Sequence, residues 1–240
     1  MSSVNTISSM LLINHLTRMQ KGYFCAAGLN LKMLQYIRPT FAGKRLGNYL
    51  ISEHKNCFEI GSVVAFPKMR HIGAYPMIED YELAGAEPTF MYKMTPTDFI
   101  EALKKVSHED VISVFGEDLK RIGNGFGVEI GRGKASLGCI KVKGYSRLSL
   151  NEEYNKIRFM MHYGKERIYL TVTDLRLYDD EMLPKKEIVY YISKELSKKK
   201  SLFLSLGLTR PWSKPGSEKE LHWLQVNNIY LENDPFLEFL

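Results

Sequence analysis

Between residues 156 and 173 the chain alternates so cleanly that one local structure fits it best. Ile157, Phe159, Met161 and Tyr163 share one parity, and Ile168, Leu170 and Val172 share one parity of the segment that follows. A period of two is the signature of strands with one face buried, because successive side chains point to opposite sides of a sheet. Gly164-Lys165-Glu166 joins the two runs. A three-residue loop containing glycine is a common hairpin connection. The pattern predicts a β-hairpin over 156–163 and 167–173.

The rest of the chain carries the same signals at high density. Short apolar runs at 10–13 and 23–27 flank a Lys21-Gly22 turn, predicting a first hairpin. A strand is expected at 34–38 and ended by Pro39, which has no N–H to give a ladder. The stretch 44–56 is polar and mixed, fitting one or two helical turns. Phe58–Phe66 is β-branched and aromatic, with Gly61 marking a bulge or bend and Pro67 a stop. Further strands are expected at 134–142, 202–208 and 222–230, with a lysine-rich run at 194–200 between them. Such spacing of strands and turns suggests barrels or a sandwich.

One segment reads differently. Thr95-Pro96-Thr97-Asp98 places a capping hydroxyl before a proline at the first helical position, with an acid in the first turn. Phe99, Leu103 and Val106 then recur at helical spacing, and a second short helix fits 109–115. The fold class expected is therefore mainly β with a helical insert.

The charge balance points toward a partner. Lys and Arg number 33 against 27 Asp and Glu, a net charge of +6. A positive field favours polyanions, although charge kept for solubility explains the balance equally well. Cys25, Cys57 and Cys139 are odd in number and widely spaced, so they read as structural thiols of a reducing compartment rather than a disulfide framework. No apolar run reaches membrane length and the start lacks a basic signal-peptide region, so the cytoplasm is expected. Residues 1–9 are polar and patternless and read as a loose tail, unless Met10 is the true start.

Catalytic patterns are sought with little return. Gly131-Arg132-Gly133-Lys134 invites a phosphate-loop reading, but Val128 stands where the Walker pattern needs glycine and Ala135 where it needs Ser or Thr. The six histidines make no metal-ligand spacing, and there is no G-x-S-x-G elbow. No catalytic residue, metal site or cofactor is assigned, and the enzyme question leans toward no. Asp174 ends a strand and reads either as an acid or as a turn cap.

Basic and aromatic residues are interleaved where strands end. Tyr36 and Arg38 share a strand face, Arg18 lies in the first hairpin, and Arg210 stands beside Trp212 in the last. Arginines contact phosphate and aromatic faces stack bases. Trp212, in a proline-flanked loop, fits stacking and packing equally. Leu16-Thr17-Arg18 is echoed by Leu208-Thr209-Arg210, each at a hairpin.

The ordered set of segments resembles the dual OB-fold domain proteins, an uncharacterised bacterial group linked to phage defence and DNA modification. The matching stretches are 12–18, Cys25-Ala26-Ala27-Gly28-Leu29, Ile37-Arg38-Pro39, Phe58-Glu59-Ile60-Gly61, Ala135-Ser136-Leu137-Gly138, Val172-Thr173-Asp174 and 204–211. The resemblance implies two OB-like small β-barrels, at 10–94 and 121–240, on either side of a helical insert at 95–120. It also implies nucleic-acid binding without catalysis, with DNA against RNA and single against double strands left open, and partner proteins of a defence system. Arg18, Arg38, Arg210, Tyr36 and Trp212 are the expected nucleic-acid contacts. In the competing reading Thr17, Thr173, Asp174 and Thr209 line a pocket for a nucleotide or modified base. In a third, Asp174, Asp179 and Asp180 serve a metal-dependent nuclease.

Overall fold

The computed structural model describes residues 6–19, 22–41, 46–47, 49–54, 56–83, 87–198, 201–214 and 218–238. In the first half the strands are β1 (Thr6–Arg18), β2 (Tyr23–Asn30), β3 (Gln35–Phe41) and the short β4 (Leu46–Gly47), followed by helix α1 (Tyr49–Glu53). Then come β5 (Ser62–His71), β6 (Asp80–Leu83) and β7 (Thr89–Lys93). Strand β1 starts at Thr6, so the patternless residues 6–9 are not a tail. Ile7 and Ser9 are in register with Met69 and Phe66 of β5.

The pairing closes on itself. The order β1-β2-β3-β6-β5 returns to β1 through the β1–β5 ladder, and only β3–β6 is parallel. This is the strand order of a five-stranded OB barrel, with α1 between the barrel strands that come third and fourth in the chain, β3 and β5. Strand β1 serves two partners because a bulge at Asn14 shifts its register between Ile13 and His15. A bulge bends a strand and re-aims its edges.

Three local expectations need correction. Pro39 lies inside β3, since β2 pairs only Gln35–Ile37 of this strand, and the ladder to β6 is entered through the Arg38 N–H. Pro67 does not stop β5 either. The register slips around it, with Lys68 at φ +53°, and pairing resumes at Met69. Residues 58–60 precede the strand as turns, and Gly61 takes φ +87° there.

Helix α2 (Pro96–Val106) begins as the sequence suggests, with Thr95 Oγ1 accepting from Asp98 N at 3.2 Å. Phe99, Ile100 and Leu103 are buried in the core of the first barrel. The short β8 (Ser107–His108) and α3 (Val111–Phe115) follow, then the hairpin β9 (Lys120–Ile122) and β10 (Gly125–Glu129).

The second barrel is built from β11 (Leu137–Val142), β12 (Ser146–Asn151), β13 (Lys156–Tyr163), β14 (Glu166–Thr171), helix α4 (Lys186–Ser197), β15 (Leu202–Leu208), the short β16 (Trp212–Ser213) and β17 (Glu220–Leu231). Consecutive β11 and β12 act as one bent strand. The first pairs with β15 and the second with β13. Strand β14 meets β17 through the parallel bridge Val172↔Val226, and β17 pairs with β15. The path β12-β13-β14-β17-β15-β11 repeats the OB order, with α4 in the same place as α1. The expected hairpin is present with Ile157, Phe159, Ile168 and Leu170 in its core, but Glu166 pairs with Tyr163, so its loop is Gly164-Lys165 alone. The protein is mainly β, with two OB-like barrels.

The barrels are fused rather than tethered. Along β15, Leu202, Leu204, Leu206 and Leu208 enter the second core while Phe203 enters the first. Tyr230 OH and Ser205 Oγ both donate to the carbonyl of Asn14, at 2.5 and 2.9 Å. Asn228 bonds both the N–H and the carbonyl of Leu16. Arg18 N donates to Thr173 O at 2.8 Å.

Candidate functional site

Two places in the fold gather binding chemistry. The first is a cavity of about 480 Å³ walled by both barrels. Strand β1 contributes His15, Thr17 and Arg18, β3 contributes Arg38, and the end of β15 brings Thr209 and Arg210. Gln225 and Asn227 of β17 complete a polar edge, and Phe24, Leu46, Leu137 and Leu208 supply apolar wall. Among the described residues the charged members of the lining are the three arginines.

Arg38 is the fixed member. It is 7% exposed, with Nε on Asp80 Oδ1 at 2.5 Å and Nη2 on Ser136 Oγ at 3.2 Å and Met77 Sδ at 3.1 Å. Ser136 is held in turn by Glu79, which accepts from its hydroxyl and its N–H. The other oxygen of Asp80 accepts from Arg210 Nη2 at 2.7 Å. Arg210 differs in reach, its side chain being 58% exposed. Arg18 lies with its guanidinium 4.0 Å from the centre of the Tyr178 ring.

The polar edge is ordered. Asn227 donates to His15 Nδ1 at 3.0 Å and accepts from Gln225 Nε2 at 3.0 Å. Its amide lies so close to Gly207 that a Cβ there would come within 2.4 Å of it, so only glycine leaves this side chain its place. Burial, with Arg38 nearby, lowers His15 to about 3, so its ring is neutral. Enclosure likewise pushes the Cys25 thiol up, only partly offset by Arg38, which keeps it from acting as a thiolate.

The sequence expectations thus fall into groups. The structure brings Arg18, Arg38, Arg210, Thr17 and Thr209 to one cavity. The echoed Leu-Thr-Arg segments both reach it, although one ends the first strand of its barrel and the other ends β15, reached after α4. Tyr36 instead packs edge-on against His15, with ring centres 5.1 Å apart. Trp212 is 42% exposed and lies 6.4 Å from Trp223, outside the cavity lining.

Thr173 and Asp174 also lie elsewhere. Thr173 Oγ1 donates to Val226 O at 3.3 Å. Asp174 is fully buried and takes Arg176 in a two-pronged ion pair at 2.9 and 2.6 Å, with Asn228 Nδ2 and Ile229 N completing its shell. Asp179 Oδ1 accepts from the N–H groups of Glu181 and Leu183, which makes it a turn cap. Among the described residues no group of three or more His, Cys, Asp or Glu side chains is placed to share a cation.

The second place went unnoticed in the sequence. The outward positions of β12, β13 and β14 form a grid in register: His162 beside Arg167, then Arg147, Met160 and Tyr169 across the three strands, then Ser149, Arg158 and Thr171. Tyr145, just before β12, covers His162 with ring centres 6.0 Å apart. Tyr145 and Tyr169 are 47% and 40% exposed. A shallow pocket lies among these side chains. No carboxylate occupies the grid. Arg158 Nη1 is steadied by Thr171 Oγ1 at 2.7 Å, and Lys214 sits close enough that its own burial and the Arg158 charge lower its pKa. The signal for this face was the hairpin alternation itself, read for the parity that does not enter the core.

No protein-family model and no curated protein matches the chain. Among solved structures, a tetrameric p202 HIN2 structure aligns over 96% of both chains at 8% identity and a TM-score of 0.32. A p204 HINb domain aligns over 96% of this chain and 98% of its own, at 11% identity and a TM-score of 0.32. A murine DNA-binding protein bound to double-stranded DNA aligns over 91% and 92%, at 9% identity and a TM-score of 0.33. At these values the likeness carries no conclusion about this chain.

Proposed function

We propose that this protein binds nucleic acid without catalysis, on the outer face of β12, β13 and β14. The observation that carries the reading is the grid: two exposed tyrosines and three arginines on a small barrel's strands, with no carboxylate among them. Arg147, Arg158 and Arg167 meet phosphates while Tyr145 and Tyr169 offer faces on which unpaired bases stack. That is how such barrels hold strands of nucleic acid. Of the three carboxylates considered for a nuclease, Asp174 is held in its ion pair and Asp179 in its turn. The resemblance to dual OB-fold proteins adds a setting, phage defence or DNA modification in the cytoplasm, with partner proteins of such a system.

The test is fluorescence-polarisation binding of labelled single- and double-stranded oligonucleotides at two salt concentrations. For single strands log affinity is expected to fall with log salt by about 0.7 per phosphate contact. The double variant Arg147→Ala, Arg167→Ala should reduce that slope by roughly 1.4. Tyr169→Ala should cost about 1–3 kcal/mol of binding without changing the slope. Affinity that ignores salt, or survives both variants, overturns the reading.

A further inference from the structure

We propose that the cavity between the barrels is a separate site for a nucleoside monophosphate group, with the phosphate on Arg18 and Arg210 and the base against the apolar wall. The inference does not depend on the β12–β14 face, which shares none of its residues.

The case begins with charge. Among the described residues the lining holds three guanidinium groups and no lysine or carboxylate. Asp80, bonding both Arg38 and Arg210, and Glu79, behind Ser136, lie at the back of them and leave one of the three positive charges in excess. Arg38 is therefore a braced positive wall, and Arg210 is an arm whose side chain is more than half exposed. A guanidinium fork matches phosphate oxygens two at a time, and a group fixed before binding gives up less freedom when the ligand arrives.

The second part is shape and polarity. A volume of about 480 Å³ falls in the range of small-molecule sites, roughly 300–1,000 Å³. Phe24, Leu46, Leu137 and Leu208 give it an apolar side suited to the flat of a ring. Gln225, Asn227 and Thr209 give it an edge of donors and acceptors, which is what the rim of a base requires. An inorganic anion would leave the apolar wall unused, and an uncharged nucleoside would leave the arginines unanswered.

The nucleotide can be free or can belong to a strand, and the experiment separates these sources. Isothermal titration of the whole protein is run with AMP, GMP, CMP and UMP, with the matching nucleosides, and with inorganic phosphate. At least one monophosphate should bind saturably, about tenfold or more tighter than its nucleoside or phosphate alone. Arg210→Glu, at an exposed side chain, and Gln225→Ala should each weaken it by about tenfold, from loss of the phosphate contact and the base edge respectively. The face variant Arg147→Ala, Arg167→Ala should leave it unchanged, which keeps failure of this site distinct from failure of the outer face. Displacement of the bound monophosphate by a short single-stranded oligonucleotide supports a nucleotide within a strand, and persistence supports a free one. No binding of any monophosphate at millimolar concentration, or binding indifferent to both cavity variants, overturns the proposal.

Discussion

Two arginine–aspartate clusters lie where the barrels meet, and they are built to opposite ends. Asp174 is sealed. Arg176 grips it with two nitrogens and also donates to the carbonyls of Pro235 and Ile229. Asn228 and the Ile229 N–H close the shell. Asp80 also accepts from two donors, but one belongs to Arg210, whose side chain is 58% exposed at a cavity. In the first cluster every bond is internal and the pair behaves as a rivet between β1, β17 and the segment after β14. In the second the aspartate orients cations toward open space. The same ion-pair chemistry is structural where every bond is internal and ready for a ligand where one partner reaches a cavity.

Removing the carboxylate of the first cluster and the buried arginine of the second breaks the comparison if it is false. Asp174→Ala leaves Arg176 charged, buried and unpaired, and such a loss costs about 3–5 kcal/mol. Urea unfolding should show it as a large fall in midpoint with little change in slope. Arg38→Met, by contrast, leaves Asp80 still paired with Arg210 and replaces one buried stem by another of similar length. The charged hydrogen bond to Asp80 is lost, worth about 1.5–3 kcal/mol, together with the contacts to Ser136 and Met77. Equal losses in the two variants would mean that the cavity cluster is as sealed as the other.

Much of the scaffold for these clusters is legible in the chain, and the clusters themselves are not. The alternation of 156–173 and the Thr95-Pro96 cap announce β13, β14 and α2, because both are local patterns written within one strand pair or one turn. Helix α4 was missed. Its buried Val189, Ile192 and Leu196 do recur at helical spacing, but the segment is short, strongly charged and flanked by strands. The extent of β1 was missed because Ile7 and Ser9 are ordered by β5, a partner sixty residues away in the chain. Arg18, Arg38 and Arg210 were singled out one by one as basic residues at strand ends. That they share a cavity depends on barrel closure, and no spacing encodes that. Asp80 carried no signal at all, since its role exists only where β6 runs beside β3.

His15 sharpens the boundary between the two regions, for it follows Asn14 of the sealed seam and lines the open cavity. Burial and Arg38 hold it neutral down to about pH 3, against an ordinary value of 6.5. Below 6.5 the unfolded chain takes up a proton that the folded ring refuses. Stability is therefore fully present above that pH and falls on acidification toward 3, at up to about 1.4 kcal/mol per pH unit. His15→Gln should flatten this part of the dependence, read from urea midpoints at pH values on either side of 6.5.

The smallest expected effect is the most discriminating. Arg210→Ala removes a bond to Asp80 whose other partner, Arg38, remains, and it does so from a side chain mostly in water. Surface substitutions of this kind change stability by no more than about 0.5 kcal/mol. Thermal unfolding of Arg210→Ala should therefore match the parent closely, while Asp174→Ala shifts far below it. A residue held by an ion pair yet nearly free to remove has its interaction energy available for something other than folding. If Arg210→Ala instead unfolds several degrees early, the arm is part of the fold, and Asp80 is a second rivet rather than the back wall of a site.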